Sequence, residues 1–233
     1  MQHEIRVSAD ADAVAGQAAR YVADLARRAV AAHDRFRFAV SGGHTPWAMF
    51  AALTKEDVPW ADVELFQVDE RVAPDGDPSR NLTHLRDSLG DAPASVFAMP
   101  VNDPELDAAA TEYAAALPIR FDLVHLGLGP DGHTASLVPS DPVLSVVDAL
   151  VAVTQPYQGH RRMTLTYPAL ERAEQLLWLI TGADKIAPLA RLLAGDESIP
   201  AGRVRAARSL VLADAAAAPD SPADSNTPGS LDE

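Results

Sequence analysis

The chain has 233 residues, 48% of them hydrophobic, which is enough for one large buried core. Its formal net charge of −14 argues against nucleic acid and anionic membranes as partners, because both are bound through basic patches. The absence of cysteine excludes disulfide scaffolds, thiol catalysis and thiolate metal sites. No apolar run approaches the roughly 18 residues of a membrane span, and no signal peptide is evident. We expect a cytoplasmic protein that is a monomer or a weak homo-oligomer.

Helical and extended periodicities alternate along the chain. Apolar side chains at three- and four-residue spacings predict an amphipathic helix over residues 10–32. Similar patterns predict further helices at 47–55, 81–89, 104–117 and 184–195, the last ending at a glycine cap. Apolar runs predict strands at 35–40, 63–68, 121–126, 149–154, 174–181 and 208–214. This alternation predicts an α/β fold with a mostly parallel sheet covered by helices on both faces.

The composition changes near the carboxyl end. Residues 214–233 are dominated by Ala, Pro, Ser and Asp and contain one bulky apolar residue. Such a segment cannot bury enough surface to offset the entropy lost on ordering. We therefore predict a single domain over residues 1–213, followed by a disordered tail.

The most polar segments of the chain follow predicted strands. They are SGGHTP (41–46), DERVAPDGDPSRN (69–81) and GLGPDGHTAS (127–136). In open parallel sheets, ligands bind beyond the carboxyl ends of the strands. We therefore expect the three segments to form one active site.

The segment SGGHTP has the composition of a turn between a strand and a helix. Gly42 and Gly43 allow a tight turn, Thr45 suits an N-cap and Pro46 suits the first helical position. Free backbone N–H groups at the helix start favour an anion such as phosphate, although an ordinary turn has the same pattern. Ser41 is a weak candidate nucleophile, because the G-x-S-x-G motif is absent.

Three further segments contain acidic or cationic side chains. Asp69 and Arg71 end a predicted strand, where the acid could orient substrate hydroxyls and the cation could face an anion, or both could form structural ion pairs. Arg162 precedes a β-like segment. Lys185 lies in the first turn of a helix, where a cation is unfavourable unless an anion also binds there. The histidine spacings match no metal site, so we predict no metal.

The segment GLGPDGH matches the dinucleotide-binding pattern G-x-G-x-x-G. A dinucleotide site also needs a long helix at the third glycine and an acid after the next strand. Asp148 precedes that strand instead, so we interpret the glycines as shaping a loop that displays Asp131 and His133. Histidine can act as a general base near neutral pH, although a histidine in a loop can also serve only local hydrogen bonding.

Taken together, residues 5–213 resemble the glucosamine-6-phosphate isomerase/6-phosphogluconolactonase family. The resemblance rests on SGGHTP, FQVDERVAPDGDPSRN, DLVHLGLGPDGHTASLVP and RRMTLTYPAL, in that order. It implies a Rossmann-like three-layer α/β/α sandwich. It also implies hydrolysis of 6-phospho-D-glucono-1,5-lactone to 6-phospho-D-gluconate, in the oxidative pentose phosphate pathway, without a cofactor.

The resemblance also implies roles for individual residues. His133 is expected to be the general base, with Asp131 orienting it. The expected substrate-binding residues are Ser41, Gly42, Gly43, Thr45, Asp69, Arg71, Arg162 and Lys185. The glucosamine-6-phosphate isomerases carry a glutamate five residues after the DGH histidine, where this chain has Val138, and valine cannot transfer a proton. Lactone hydrolysis is therefore favoured, with a glucosamine-6-phosphate deaminase or a non-catalytic sugar-phosphate sensor as the alternatives.

Overall fold

The protein is described by a computed structural model that covers residues 2–218. Its strands are β1 (Glu4–Ser8), β2 (Phe36–Val40), β3 (Val63–Gln67), β4 (Asp69–Arg71), β5 (Ser95–Phe97), β6 (Leu123–Leu126), β7 (Val151–Val153), β8 (Arg162–Leu165), β9 (Gln175–Ile180) and β10 (Arg208–Asp214). Its helices are α1 (Ala11–His33), α2 (His44–Leu53), α3 (Asn81–Leu89), α4 (Leu106–Ala116), α5 (Tyr167–Leu170) and α6 (Ile186–Leu193).

Seven strands form one parallel sheet in the order β1-β10-β9-β6-β2-β3-β5. Its central strands β6 and β9 are buried at every residue and mostly apolar, as expected for a sheet that is covered on both faces. Along β9, Leu177 and Leu179 enter one core, whereas Leu176, Trp178 and Ile180 enter the other. Helices α1, α2 and α3 complete the first core, and α4, α5 and α6 complete the second. The predicted three-layer α/β/α sandwich is confirmed.

A second, three-stranded antiparallel sheet has the order β4-β8-β7. The predicted strand at 149–154 is present as β7, and it pairs with β8 in this second sheet and not with the parallel sheet. The DER residues form their own strand, β4, one residue after the end of β3. Strands this short carry no periodicity that shows which sheet they join.

The long helices begin and end close to their predicted limits. Asp10 caps α1 by accepting a hydrogen bond from the backbone N–H of Ala13 at 2.8 Å. At the other end of the chain, a 3-10 helix (Ala183–Lys185) leads into α6, and Gly195 follows the end of α6 with a φ of 68°.

The start of α2 was predicted wrongly. The N-cap is Gly43, not Thr45, and the helix begins at His44, so Pro46 is its third residue. A proline is tolerated there because the first four N–H groups of a helix have no intrahelical partner. The hydroxyl of Thr45 instead lies 2.8 Å from that of Thr181.

The described residues continue past residue 213, the predicted end of the domain. Asp214 ends β10, and Ala217 is fully buried in the second core. The rest of the predicted tail, residues 219–233, lies outside the described residues. No helix within the described part of the chain is long and apolar enough to cross a membrane.

Candidate active site

A cleft of about 380 Å³ opens at the carboxyl ends of β2, β6 and β9. This is the edge at which parallel sheets bind their ligands. All the predicted site residues except Asp131 line it, namely Ser41, Gly42, Gly43, Thr45, Asp69, Arg71, His133, Arg162 and Lys185. The structure therefore brings segments that are far apart in the sequence to one place.

His133 and Asp131 form a hydrogen-bonded pair at this cleft. The Asp131 Oδ1 atom lies 2.5 Å from His133 Nδ1 and also accepts the backbone N–H of His133 at 3.1 Å. Burial alone would raise the pKa of Asp131, but the hydrogen bonds and charge of His133 lower it below its usual value. Because an ionised carboxylate can only accept, Nδ1 carries the imidazole proton and Nε2 keeps a free lone pair. The pair is thus arranged as a general base with an orienting carboxylate.

The glycines of GLGPDGH serve this histidine and not a dinucleotide. A Cβ atom at Gly129 would lie 2.1 Å from His133 Nδ1, so only glycine lets the imidazole pack against the loop backbone. No helix begins at Gly132, and the loop runs on to a 3-10 helix at Pro142–Ser145. The dinucleotide interpretation therefore lacks the helix that it requires.

Asp69 and Arg71 do not pair with each other. The Asp69 carboxylate accepts hydrogen bonds from Ser136 Oγ at 2.7 Å and from Asn81 Nδ2 at 3.3 Å. Arg71 Nη1 donates to the carbonyl oxygen of Ser79 at 2.7 Å and to Asn81 Oδ1 at 2.9 Å. Asn81, at the start of α3, thus fixes both side chains at the cleft.

The structural ion pair of this segment belongs to Glu70. Its buried carboxylate lies 3.0 Å from Arg80 Nε and accepts the backbone N–H groups of Asn81 and Leu82 at 2.8 Å each. Glu70 therefore anchors the N-terminus of α3, which in turn holds Asn81 in place.

Arg71 and Arg162 are cross-strand partners in the small antiparallel sheet. The Nε atom of each is buried and has no hydrogen-bond partner within residues 2–218. Burial lowers the pKa of Arg162, an effect that the nearby charge of Asp69 opposes. Like charges placed directly opposite repel each other, so this pair is a natural position for an anion.

Lys185 completes the cationic lining of the cleft. Its Nζ lies 2.7 Å from Asp184 Oδ2, and that ion pair lowers the pKa of Asp184. The preceding loop is held by Asp214, whose two carboxylate oxygens each lie 3.1 Å from the backbone nitrogen of Gly182. The end of β10 therefore positions the loop that leads to Lys185.

Ser41 is not arranged as a nucleophile. Its Oγ is buried and has no partner in the described part of the chain. The nearby His125 accepts the backbone N–H of Ser41 on Nδ1 at 3.3 Å, so it does not reach the hydroxyl. Complete burial lowers the pKa of His125 to about 3, which keeps the ring neutral.

Several residues of the site were not predicted from the sequence. They include His44, Asn81, Thr181 and Asp184 in the lining, Ser136 hydrogen-bonded to Asp69, and Tyr157 beside the His133–Asp131 pair. His44, Asn81 and Ser136 lie in SGGHTP, DERVAPDGDPSRN and GLGPDGHTAS, so their position after predicted strands was a signal that could have identified them. Val138, at the glutamate position of the isomerases, is buried. No group of three or more potential metal ligands occurs among residues 2–218.

Known proteins with similar sequences belong to the family that the motifs of the polar segments indicated. The glucosamine-6-phosphate isomerases/6-phosphogluconolactonase family matches residues 9–212. A 6-phosphogluconolactonase from Synechocystis is 35% identical over 183 residues, which cover 72% of this chain and 76% of that protein. The 6-phosphogluconolactonase of Mycobacterium tuberculosis is 34% identical and covers 94% of this chain and 98% of its own.

The fold is also similar to that of solved structures. A crystal structure of a 6-phosphogluconolactonase from Shewanella baltica superimposes with a TM-score of 0.83 at 26% identity, covering 92% of this chain and 98% of that chain. The chain belongs to the glucosamine-6-phosphate isomerase/6-phosphogluconolactonase family.

Proposed function

We propose that this protein is a 6-phosphogluconolactonase, which hydrolyses 6-phospho-D-glucono-1,5-lactone to 6-phospho-D-gluconate in the oxidative pentose phosphate pathway. The relatives compared above bear the name of this activity. The observation that carries the proposal is the hydrogen-bonded His133–Asp131 pair beside a cleft lined by three cationic side chains. Such a site can hold a phosphate and hydrolyse a neutral acyl group next to it.

His133 acts as the general base in this mechanism. Its Nε2 takes a proton from a water molecule while the water oxygen attacks the lactone carbonyl carbon, C1. Asp131 holds the ring in the required tautomer and stabilises the imidazolium that forms. When the C1–O bond of the ring breaks, the imidazolium returns the proton to the departing ring oxygen. The products are an open-chain acid and the regenerated base.

Other groups of the cleft stabilise the oxyanion and bind the substrate. Arg71 or backbone N–H groups stabilise the negative charge that develops on the carbonyl oxygen, as preorganised donors do in acyl transfer. Arg162, Lys185 and the N-terminus of α2 hold the 6-phosphate. Asp69, fixed by Ser136 and Asn81, accepts hydrogen bonds from the sugar hydroxyls.

The first test is lactone hydrolysis by the wild type and by His133→Ala. The lactone is generated in situ and acid release is followed, with the rate of spontaneous opening subtracted. The variant should lose about 10²–10⁴-fold of the catalysed rate, the usual contribution of a general base. His33→Ala is the matched control, because His33 lies at the end of α1 and pairs with Asp122.

The outcomes separate the candidate functions. Wild-type activity in His133→Ala would contradict the assignment of the base. Binding of 6-phosphogluconate without lactone hydrolysis would indicate a sugar-phosphate sensor. Release of ammonia from glucosamine 6-phosphate would indicate a deaminase, which Val138 argues against.

A further inference from the structure

Tyr157 contacts both the catalytic pair and a substrate-binding arginine, yet the mechanism above gives it no part. Its hydroxyl lies 3.2 Å from Asp131 Oδ2. Its ring meets the imidazole of His133 edge to face, with the ring centroids 5.6 Å apart. The guanidinium carbon of Arg162 lies 5.1 Å from the centroid of the same ring. One side chain therefore links the base to Arg162.

The backbone fixes the position of this ring. Tyr157 and His160 exchange backbone hydrogen bonds of 2.9 and 3.3 Å, and the two residues between them, Gln158 and Gly159, have φ angles of 50° and 85°. This is the geometry of a tight type I′ turn, which suits the hairpin that joins β7 to β8. The turn ends just before Arg162, the first residue of β8. The ring and the guanidinium are therefore held by the same hairpin.

We propose that Tyr157 is a positioning residue that orients both the His133–Asp131 pair and the guanidinium of Arg162. This inference rests on the proposed function, because it gives Tyr157 its role in lactone hydrolysis. No direct contact between Tyr157 and substrate is required.

The hydroxyl acts through the second oxygen of Asp131. Oδ1 faces His133, while Oδ2 accepts the hydrogen bond from the phenol. The Asp131 side chain is 36% exposed, so water competes for Oδ2 and would let the carboxylate turn away from the imidazole. Burial and the neighbouring Asp131 raise the pKa of Tyr157, so the phenol stays protonated and remains a donor near neutral pH.

The ring acts on Arg162. A guanidinium that stacks on an aromatic face is restrained without losing its hydrogen-bond donors. Arg162 lines the cleft opposite Arg71, and among the described residues its guanidinium donates a side-chain hydrogen bond from Nη2 to Gln158 Oε1 at 3.4 Å. The hydroxyl should therefore influence the catalytic step, whereas the ring should influence substrate binding.

The test compares Tyr157→Phe with Tyr157→Ala in the lactone assay. Tyr157→Phe should lower kcat about three- to tenfold, the usual value of one net hydrogen bond, with KM unchanged. Tyr157→Ala should show the same loss in kcat and should also raise KM about two- to fivefold, because the cation–π contact is gone. Tyr21→Phe is the matched control, since Tyr21 is a half-buried tyrosine on α1 that hydrogen-bonds Gln175.

A second readout does not depend on lactonase activity. Long-range ¹H–¹⁵N NMR correlations distinguish the Nδ1–H and Nε2–H tautomers of His133, whose signals are identified by their loss in His133→Ala. Tyr157→Phe should reduce the Nδ1–H fraction, whereas Tyr21→Phe should not. If the wild type does not hydrolyse the lactone, the proposed function fails while this spectrum still tests the effect on the pair.

Two results would overturn the inference. A wild-type kcat and tautomer population in Tyr157→Phe would remove the role of the hydroxyl. An unchanged KM in Tyr157→Ala would remove the role of the ring. Thermal unfolding of both variants is measured alongside, and a loss of activity that merely follows a lower Tm, without the split between kcat and KM, would assign Tyr157 a structural role only.

Discussion

Replacing Asp131 by asparagine tests whether the carboxylate orients the base. The substitution keeps the size of the side chain but removes its charge. If the amide oxygen faces the imidazole, His133 keeps its tautomer and loses the stabilising charge. If the amide nitrogen faces it, Nδ1 must accept, the proton moves to Nε2, and the atom that should attack the water proton is blocked.

The size of the effect follows from the exposure of the pair. A hydrogen bond to a charged group contributes about 1.5–3 kcal/mol, and the lower value applies because Asp131 is 36% and His133 is 18% exposed. About 1.5 kcal/mol corresponds to roughly tenfold in rate. Loss of the charge that stabilises the developing imidazolium adds to this, so we expect kcat to fall about ten- to a hundredfold. KM should stay within about twofold, because uniform substrate binding is untouched.

The assay is lactone hydrolysis by the wild type, the two single variants and the double variant His133→Ala/Asp131→Asn. Because Asp131 acts only through His133, the double variant should be no slower than His133→Ala alone. The lowered pKa of Asp131 keeps the carboxylate ionised near neutral pH, so the wild type carries the orienting charge under the conditions of the assay. A wild-type rate in Asp131→Asn, or additive losses in the double variant, would refute the reasoning.

Three further predictions address binding, packing and stability. Lys185→Ala should raise KM about tenfold with kcat unchanged, whereas Lys55→Ala should change neither, as measured by steady-state kinetics. Gly129→Ala should lower kcat about a hundredfold while the circular dichroism spectrum is retained, because the new Cβ displaces His133. Burial lowers the pKa of His125 to about 3, whereas the unfolded chain takes up that proton near pH ~6.5, so the folded state binds fewer protons in this window. The free energy of unfolding should therefore fall as the pH is lowered from about 6.5 towards 3, by up to about 1.4 kcal/mol per pH unit. In urea unfolding, His125→Asn should show a smaller decrease over this pH range than the wild type, because asparagine does not titrate.

The sequence was sufficient to predict the layers of the fold and the edge at which the site lies. Long helices such as α1 and buried strands such as β9 carry strong periodicity, and polar loops after parallel strands converge at one edge. The elements that were missed are short or depend on remote partners. Strand β4 has three residues, and its pairing with β8 is decided by hydrogen bonds between segments far apart in the chain.

Individual contacts were harder to predict for the same reason. The turn at Tyr157 contains a glycine that signals a bend, but nothing local shows that the bend faces Asp131. Thr45 is a residue type that often caps helices, yet its hydroxyl lies beside that of Thr181 and Gly43 occupies the N-cap position. In both cases a tertiary contact decides between two local arrangements that the sequence allows equally.

The opposed arginines show how an acidic protein can hold an anionic substrate. The chain carries a net charge of −14, but the register of β4 and β8 sets Arg71 directly opposite Arg162. This arrangement costs free energy, because like charges repel and both Nε atoms are buried without partners among the described residues. Asp69 reduces the repulsion, yet its own hydrogen bonds go to Ser136 and Asn81, so it does not satisfy the Nε donor of either arginine. A bound phosphate or oxyanion would neutralise the pair of arginines and supply acceptors for their Nε donors. The unfavourable free energy of placing the two arginines together is therefore relieved by an anionic ligand and not by a neutral one.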